Sequence, residues 1–312
     1  MDAPAQAGLV VVHARTDGEL EQLAHVRRGV DPDANPSLAS LRHRLDHFAG
    51  ATFLLALLAD EPAGCGYASP SPGQDSAYIT ADMSVLPGAR RRGIGTALYH
   101  AASEHARSLD KTGLTVEAKE DDPDSLAWLE RRGFVEVERQ KALALELTQV
   151  RHAEPELPAG VRIVTEAGHS ELERGMYAVG LEAGRDIPGL DGTSEPTFEE
   201  WRLTEVDRPS RRKDLSLVAL VGDEVVGYAS LHVFGDPTTA HHSLTAVARA
   251  WRGQGVATAL KRAQINAARR AGITRLMTES EERNAPMRRV NEKLGYTPIP
   301  GMVVLQGPLA GG

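Results

Sequence analysis

A single cysteine, Cys65, stands in 312 residues, so no internal disulfide can form, and the chain does not open with a charged-then-apolar leader. Both features lead us to expect a reducing cytoplasm. No stretch approaches the roughly 18 consecutive apolar residues that a membrane-crossing helix needs, so no membrane partner is expected. Aromatic residues are scarce at 4%, and the 35 lysines and arginines are outnumbered by 43 aspartates and glutamates, for a net charge of −8. A nucleic-acid surface needs a basic excess, so nucleic acid is not expected either; the acidic balance accords with a cationic substrate. Neither His152 nor His169 has a partner at metal-ligand spacing and no zinc pattern occurs, so no metal is expected. The remaining composition, 41% hydrophobic and 25% charged, is that of an ordinary globular protein long enough for two cores.

What the chain has in plenty is repetition. Residues 245–263 (TAVARAWRGQGVATALKRA) begin as an apolar alternation suited to a strand, pass through an Arg/Gly turn and open into an Ala/Leu-rich helix. That order makes an anion cradle: the first N–H groups of a helix have no partner within it, its dipole is positive there, and glycine lets a ligand approach the backbone. Residues 85–101 (VLPGARRRGIGTALYHA) spell it again, with Arg90, Gly93 and Gly95 lying 162 positions before Arg252, Gly255 and Ala257. Gly133 and Phe134 precede Gly295 and Tyr296 by the same 162, and the GYAS of residues 66–69 returns at 227–230, 161 later. Three anchors at nearly one spacing indicate a duplicated domain: 8–148 and 161–309, joined by the Pro-rich, charged linker 149–160.

Each copy reads as a complete α/β unit. The first has a strand at 8–14, a helix over 17–28 capped by Thr16 or Asp17, a helical pattern through Leu38, Leu41, Leu45 and Phe48, and a hairpin from 52–59 and 64–69. A strand over 77–86 enters the Arg/Gly turn; after its helix come a strand at 114–118, a helix at 125–132 and a closing strand pair within 133–147. The second copy repeats this, with helices at 170–183 and 197–205 around a Gly/Pro-rich loop, 186–196, and a hairpin from 215–221 and 225–233.

The residues Arg90, Arg91, Arg92, Gly93, Ile94, Gly95 and Arg252, Gly253, Gln254, Gly255, Val256, Ala257 resemble the Gln/Arg-x-x-Gly-x-Gly/Ala signature of GCN5-related N-acetyltransferases (GNAT). The downstream helices ending in Gly-aromatic pairs, at 130–134 (ERRGF) and 284–296 (NAPMRRVNEKLGY), resemble the same family. A P-loop would require Gly-Lys-Ser/Thr, and a dinucleotide fingerprint a third small residue at another spacing; neither is complete. The resemblance implies an α/β (α+β) protein of two tandem domains, each a mixed, mostly antiparallel twisted sheet flanked by helices. It also implies acetyl-CoA, or another acyl-CoA, as co-substrate. Its pyrophosphate would rest on the two turns, with Thr96 beside the first, and its pantetheine arm would pair along Met83 and Val85 or along Thr245 and Val247.

An amine with a pKa near 10 must lose a proton before it attacks a thioester, so the chemistry asks for a base and for a donor to the developing oxyanion. The strand N–H near Val247 or Val85 would be that donor. Family members often carry a carboxylate six residues before the position of Val247 and a Tyr seven after that of Asn284. Here those places hold His241 and Asn291 in the second copy, Ile79 and Leu129 in the first. His241 is therefore the candidate base; its bland alternative, shared with His242, is a strand residue facing solvent or filling a pocket. Asn291 occupies the place of the usual acid without its chemistry. Asn284 has the amide that the family sets beside the cofactor, where the first copy has Asp122. Asp186 binds a cationic substrate or caps a turn, and Glu279 and Glu281 line a cleft mouth or form a solvated charge run. Cys65 reads as core packing. The second copy is favoured as catalytic, and the first either binds cofactor without turnover or serves as a scaffold.

The reading is an acyl-CoA-dependent N-acyltransferase acting by direct transfer on a primary amine of a small molecule, as a monomer or homodimer. Its alternatives are a protein or peptide N-acetyltransferase and a non-catalytic coenzyme A-binding regulator.

Overall fold

The computed structural model describes residues 8–32, 36–70, 76–150, 154–186, 195–281 and 285–311, without the side chains of 280, 281, 285 and 286. Contacts divide the chain into two compact units, Gln140–Gly301 and Met1–Arg139 with Met302–Gly312.

In the first unit β1 (Leu9–Ala14) leads to α1 (Asp17–Val30), α2 (Leu38–His47), β2 (Thr52–Leu58), β3 (Glu61–Ser69), β4 (Tyr78–Val85), α3 (Ile94–Ser108), β5 (Gly113–Lys119) and α4 (Pro123–Glu130). Thr16, not Asp17, caps α1: its hydroxyl accepts from the Glu19 amide while the Glu19 carboxylate accepts from the Thr16 amide at 2.8 Å, a reciprocal cap. The β2–β3 turn takes only Ala59 and Asp60, both left-handed at φ 51° and 65°, so β3 begins at Glu61, earlier than the sequence reading had it. Strand pairings are antiparallel except β4 with β5, whose parallel connection is made through α3. On one face of the sheet Leu54, Ile79 and Leu114 are buried against Leu98 of α3, and on the other Phe53 and Leu55 are buried against Leu20 and Leu23 of α1 and Leu41 of α2. Each such side chain contributes about 1.5–3 kcal/mol by leaving water.

The second unit repeats the order with β7 (Val161–Thr165), α5 (Glu173–Gly184), α6 (Phe198–Trp201), β8 (Leu217–Val221), β9 (Glu224–His232), β10 (Thr239–Val247), α7 (Val256–Arg270), β11 (Arg275–Glu281) and α8 (Ala285–Lys293). The helix expected over 197–205 is α-helical only to Trp201 and continues as one wider π turn, Arg202–Val206. β10 and β11 are the parallel pair.

The units differ from the linear boundaries at 148 and 161. β6 (Val135–Glu146) leaves the first unit at residue 140, and its residues 140–146 pair with β11; β12 (Thr297–Pro308) supplies residues 302–308 to β5. Each sheet is thus closed by a strand from the end of the other repeat.

Strand register also revises one of the three anchors. A Cβ on Gly64 would meet Ile94, Ser84 O and Leu98, and a Cβ on Gly227 would meet the counterparts Val256, Ala246 O and Leu260. Both glycines lie beside an irregularity, opposite Ala56 and Ala219. Gly227 therefore corresponds to Gly64, and the matching GYAS tetrapeptides lie two residues out of register.

Candidate active site

In each unit the two parallel strands part beside the Arg/Gly turn. Among the described residues the β10–β11 ladder ends at His242 opposite Thr278, although β10 runs on to Val247; β4 and β5 end likewise at Ala81 opposite Val116, with β4 continuing to Val85. The Ala248 amide donates to Val226 O on β9, and successive residues turn their amides to opposite edges, so Thr245 and Val247 present theirs to the gap. Leu86 donating to Ala63 O places Met83 and Val85 the same way. The Arg252 Nε donates across the gap side to Val247 O at 3.0 Å, and Arg90 Nε to Val85 O at 3.4 Å.

The turns follow one design. Gly93 (φ 83°) and Gly255 (φ 91°) cap α3 and α7 in the left-handed region, and a Cβ on either meets nothing within 4 Å. These glycines are required for conformation, not for space. Two positions earlier Gly253 is left-handed at 74°, and its counterpart Arg91 adopts 62°, at about 1–2 kcal/mol for a side chain there. The amides of Ile94, Gly95 and Thr96, and of Val256 and Ala257, belong to first helical turns, where the helix supplies no acceptor. A Cβ on Gly95 would make ordinary contacts with Trp128 at 3.7 Å and Val85 at 3.9 Å, consistent with alanine at 257.

Side chains distinguish the turns. Asp186 accepts from Arg252 at 2.6 Å and from Arg249 at 3.1 Å; these bonds hold its carboxyl below the usual range, and its place is against the second turn. Gln254 folds back to Ala250 O at 2.9 Å. In the first turn, Thr96 accepts from Arg132 at 2.9 Å while that guanidinium lies 3.8 Å over the Trp128 ring. Asp122 is the N-cap of α4, bonding the Ser125 amide at 3.1 Å, whereas Asn284 lies outside the described residues.

Two faces of the parting strand carry the titratable groups. β10 has a bulge between His242 and Thr245 that β4 lacks. The extra residue shifts the comparison: His242, the last paired residue, matches Ala81, and His241 matches Thr80 rather than Ile79. On the α5 face His241 meets the Phe234 ring edge-on at 5.2 Å, and Phe234 stacks on His232. Burial, with Arg211 nearby, pushes His232 down to about 3, so it is neutral. At the bulge Ser243 hydrogen-bonds Glu205, whose carboxyl is pushed up by burial against the opposing pull of Arg208 and Arg211. The π turn carrying Glu205 is anchored by Arg211, which bonds Glu205 O at 3.2 Å and forms a buried ion pair with Glu166 at 2.8 Å.

On the α7 face His242 contacts the Tyr296 hydroxyl at 2.5 Å, Lys261 donates to Asn291 Oδ1 at 2.6 Å, and the Lys261 ammonium lies 5.0 Å from the Tyr296 ring centre. Asn291 is fully buried and Lys261 is 1% exposed. Burial drives Lys261 down to about 7 and His242 well below its ordinary value, with Lys261 adding to the latter.

His241 and the Thr245 and Val247 edge thus lie on one strand beside the turn, while Asn291 and Asp186 each have another partner. Glu279 is exposed on β11, and buried Cys65 has its thiol pushed up to about 12 by burial, as core packing requires. Sequence reasoning missed Glu205, because the π turn that aims it is not a periodicity signal. It also missed Lys261, though a lysine and Gln264 interrupting the stripe of Val256, Leu260, Ile265 and Ala268 were the available sign. Among the described residues no group of three or more His, Cys, Asp or Glu could hold a metal ion, and no helix is long and apolar enough to cross a membrane.

The acetyltransferase (GNAT) family model matches residues 20–134 and 186–296. A mycothiol acetyltransferase of Thermomonospora curvata is 27% identical over 310 residues, covering 97% of this chain and 98% of its own length. One from Geodermatophilus obscurus is 28% identical over 265 residues, covering 81% and 82%. Among solved structures, a tandem GNAT protein from the clavulanic acid biosynthesis pathway superposes with a TM-score of 0.80 at 22% identity, covering 97% of this chain and 99% of its own. A GCN5-related N-acetyltransferase from Sphaerobacter thermophilus does so at 0.70 and 21%, covering 98% of each.

Proposed function

The chain belongs to the acetyltransferase (GNAT) family and is an N-acetyltransferase, and from that premise we propose that its second unit passes acetyl from acetyl-CoA directly to a primary amine of a small molecule. The observation that carries this is the parting of β10 from β11 at His242, beside a helix start held open by Gly255. When bound, acetyl-CoA supplies an activated acyl carbon. The residues fit such a group: first-turn amides of α7 suit a pyrophosphate, and an unpaired strand edge suits an amide-bearing arm.

The chain's own work is then positioning and proton transfer. The Val247 amide points into the gap and donates to the acyl oxygen as negative charge develops there. His241 and Glu205, on the opposite side of the sheet from α7, take the proton of the incoming amine, directly or through water. The relatives' activity on mycothiol, given by their name, supports a small-molecule acceptor over a peptide. In the first unit the places equivalent to the base hold Thr80 and, by linear count, Ile79, neither of which takes up a proton at neutral pH; this supports cofactor binding without turnover, or a scaffold role, for that unit.

Calorimetry with acetyl-CoA, followed by free-thiol release across a panel of amines including amino sugars, tests the reading. Binding followed by amine-dependent thiol release is expected; binding with no release from any amine would leave a coenzyme A-binding regulator, and no binding would end the acyl-transfer reading.

A further inference from the structure

The α7 face of the second unit holds a group of buried polar side chains in a largely apolar layer: His242, Lys261, Gln264, Asn291 and Tyr296. Gln264 donates to Leu215 O and Ala229 O and hydrogen-bonds His242. His242 is the last residue at which β10 still pairs with β11, so the group sits at the apex of the gap, across the strand from His241 and Glu205. Lys261 has three N–H donors and meets Asn291 Oδ1, while the buried Asn291 Nδ2 has no hydrogen-bond partner. A buried donor without an acceptor costs about 1–3 kcal/mol, which marks a place where an acceptor belongs. The titratable groups facing Lys261 are His242 from β10 and Tyr296 from beyond α8, and neither is a carboxylate.

We propose that Lys261, held by Asn291, is the acid that protonates the sulphur of coenzyme A as the acetyl group departs, a role that rests on the acyl-transfer reading above. Lys261 gives its ammonium proton to the sulphur as the carbon–sulphur bond breaks and sulphur keeps the bonding pair. The new carbon–nitrogen bond forms on the His241 and Glu205 side, where the amine's proton is taken. Left as a neutral amine, Lys261 regains a proton from water, so the protons gained and lost balance. Burial lowers the Lys261 pKa to about 7, beneath the 8.5 of an ordinary thiol, which makes the transfer downhill. Asn291 acts through Lys261 and is a positioning residue.

The test compares binding of coenzyme A with that of desulfo-coenzyme A, by calorimetry at pH 8, to the full chain and to Lys261→Met and Asn291→Ala. The thiol-bearing ligand is expected to bind the wild-type protein about tenfold more tightly, an advantage lost in Lys261→Met and reduced in Asn291→Ala, with desulfo-coenzyme A affinity unchanged. Removing a buried charge leaves Lys261→Met folded, and a thermal melt checks this. An unchanged sulphur preference in Lys261→Met, or equal weakening of both ligands, overturns the assignment while leaving acyl transfer standing; failure of both ligands to bind the wild-type protein overturns acyl transfer itself.

Discussion

The two units share an order of elements and a turn but not the interior beside it. Where the second unit has Lys261, Asn291, Tyr296 and His242, the first has Tyr99, Leu129, Phe134 and Ala81. Tyr99 meets Trp128 edge-on and Phe134 at a tilt, each at 5.9 Å, and its hydroxyl donates to Pro308 O at 2.7 Å, so the group in the place of Lys261 is already satisfied within the chain. On the other face the first unit pairs Asp82 with Arg27, which also donates to Ser84 at 2.9 Å, where the second has Leu244 among apolar neighbours. A duplicated scaffold thus carries one gap with an apolar apex and one with an apex lined by proton donors. Backbone geometry alone does not separate a catalytic copy from a supporting one; the groups on either side of the splayed strand do.

The largest test of this contrast is pH-dependent stability. Lys261 titrates near 7 in the folded chain and at its ordinary 10.5 unfolded. Between those values the unfolded state binds more protons, so stability rises with pH from about 7 to 10.5, by about 4–5 kcal/mol for a shift of that size. Denaturant titrations at stepped pH should show this rise in wild type and lose it in Lys261→Met; a pH-independent wild type would break the contrast. Next, Gly255→Val forces a branched side chain into a left-handed position and should cut acetyl transfer by about 100-fold or more, with Gly93→Val costing at least tenfold less. The reverse order, read by thiol release, would move catalysis to the first unit. His241→Ala and Glu205→Gln should each lower kcat by about 10–100-fold with little change in acetyl-CoA affinity; if only one does so, it is the base and the other a neighbour. Smallest of all, Asp186→Asn, an exposed partner of two arginines, should move turnover by less than about threefold.

Much of this was legible in the residues. Thr16 and Glu19 announce a cap, and Gly93 and Gly255 announce left-handed helix starts, because each acts on its own backbone within a few positions. The Arg/Gly turn and the Gly-aromatic pairs located both copies for the same reason. The GYAS match misled because letters repeat without regard to register, whereas the packing of Gly64 on Ile94 and of Gly227 on Val256 is what registers the strands. Counting back a constant number of residues set His241 against Ile79, since a bulge adds a residue that a linear count cannot see.

By itself the sequence determined that there are two α/β copies, where the helices after the two Arg/Gly turns start, and which turns have backbone donors to offer, all consequences of short-range sterics and hydrogen bonding; the helices read over 125–132 and 170–183 in fact start at Pro123 and Glu173. Only the tertiary structure decided that residues 140–146 and 302–308 close each other's sheets, that a π turn brings Glu205 to Ser243, and that Lys261 is buried against Asn291 and Tyr296. Those outcomes depend on groups far apart in the chain that share one low-dielectric interior, where the cost of an unpartnered charge is set by neighbours the local sequence does not contain.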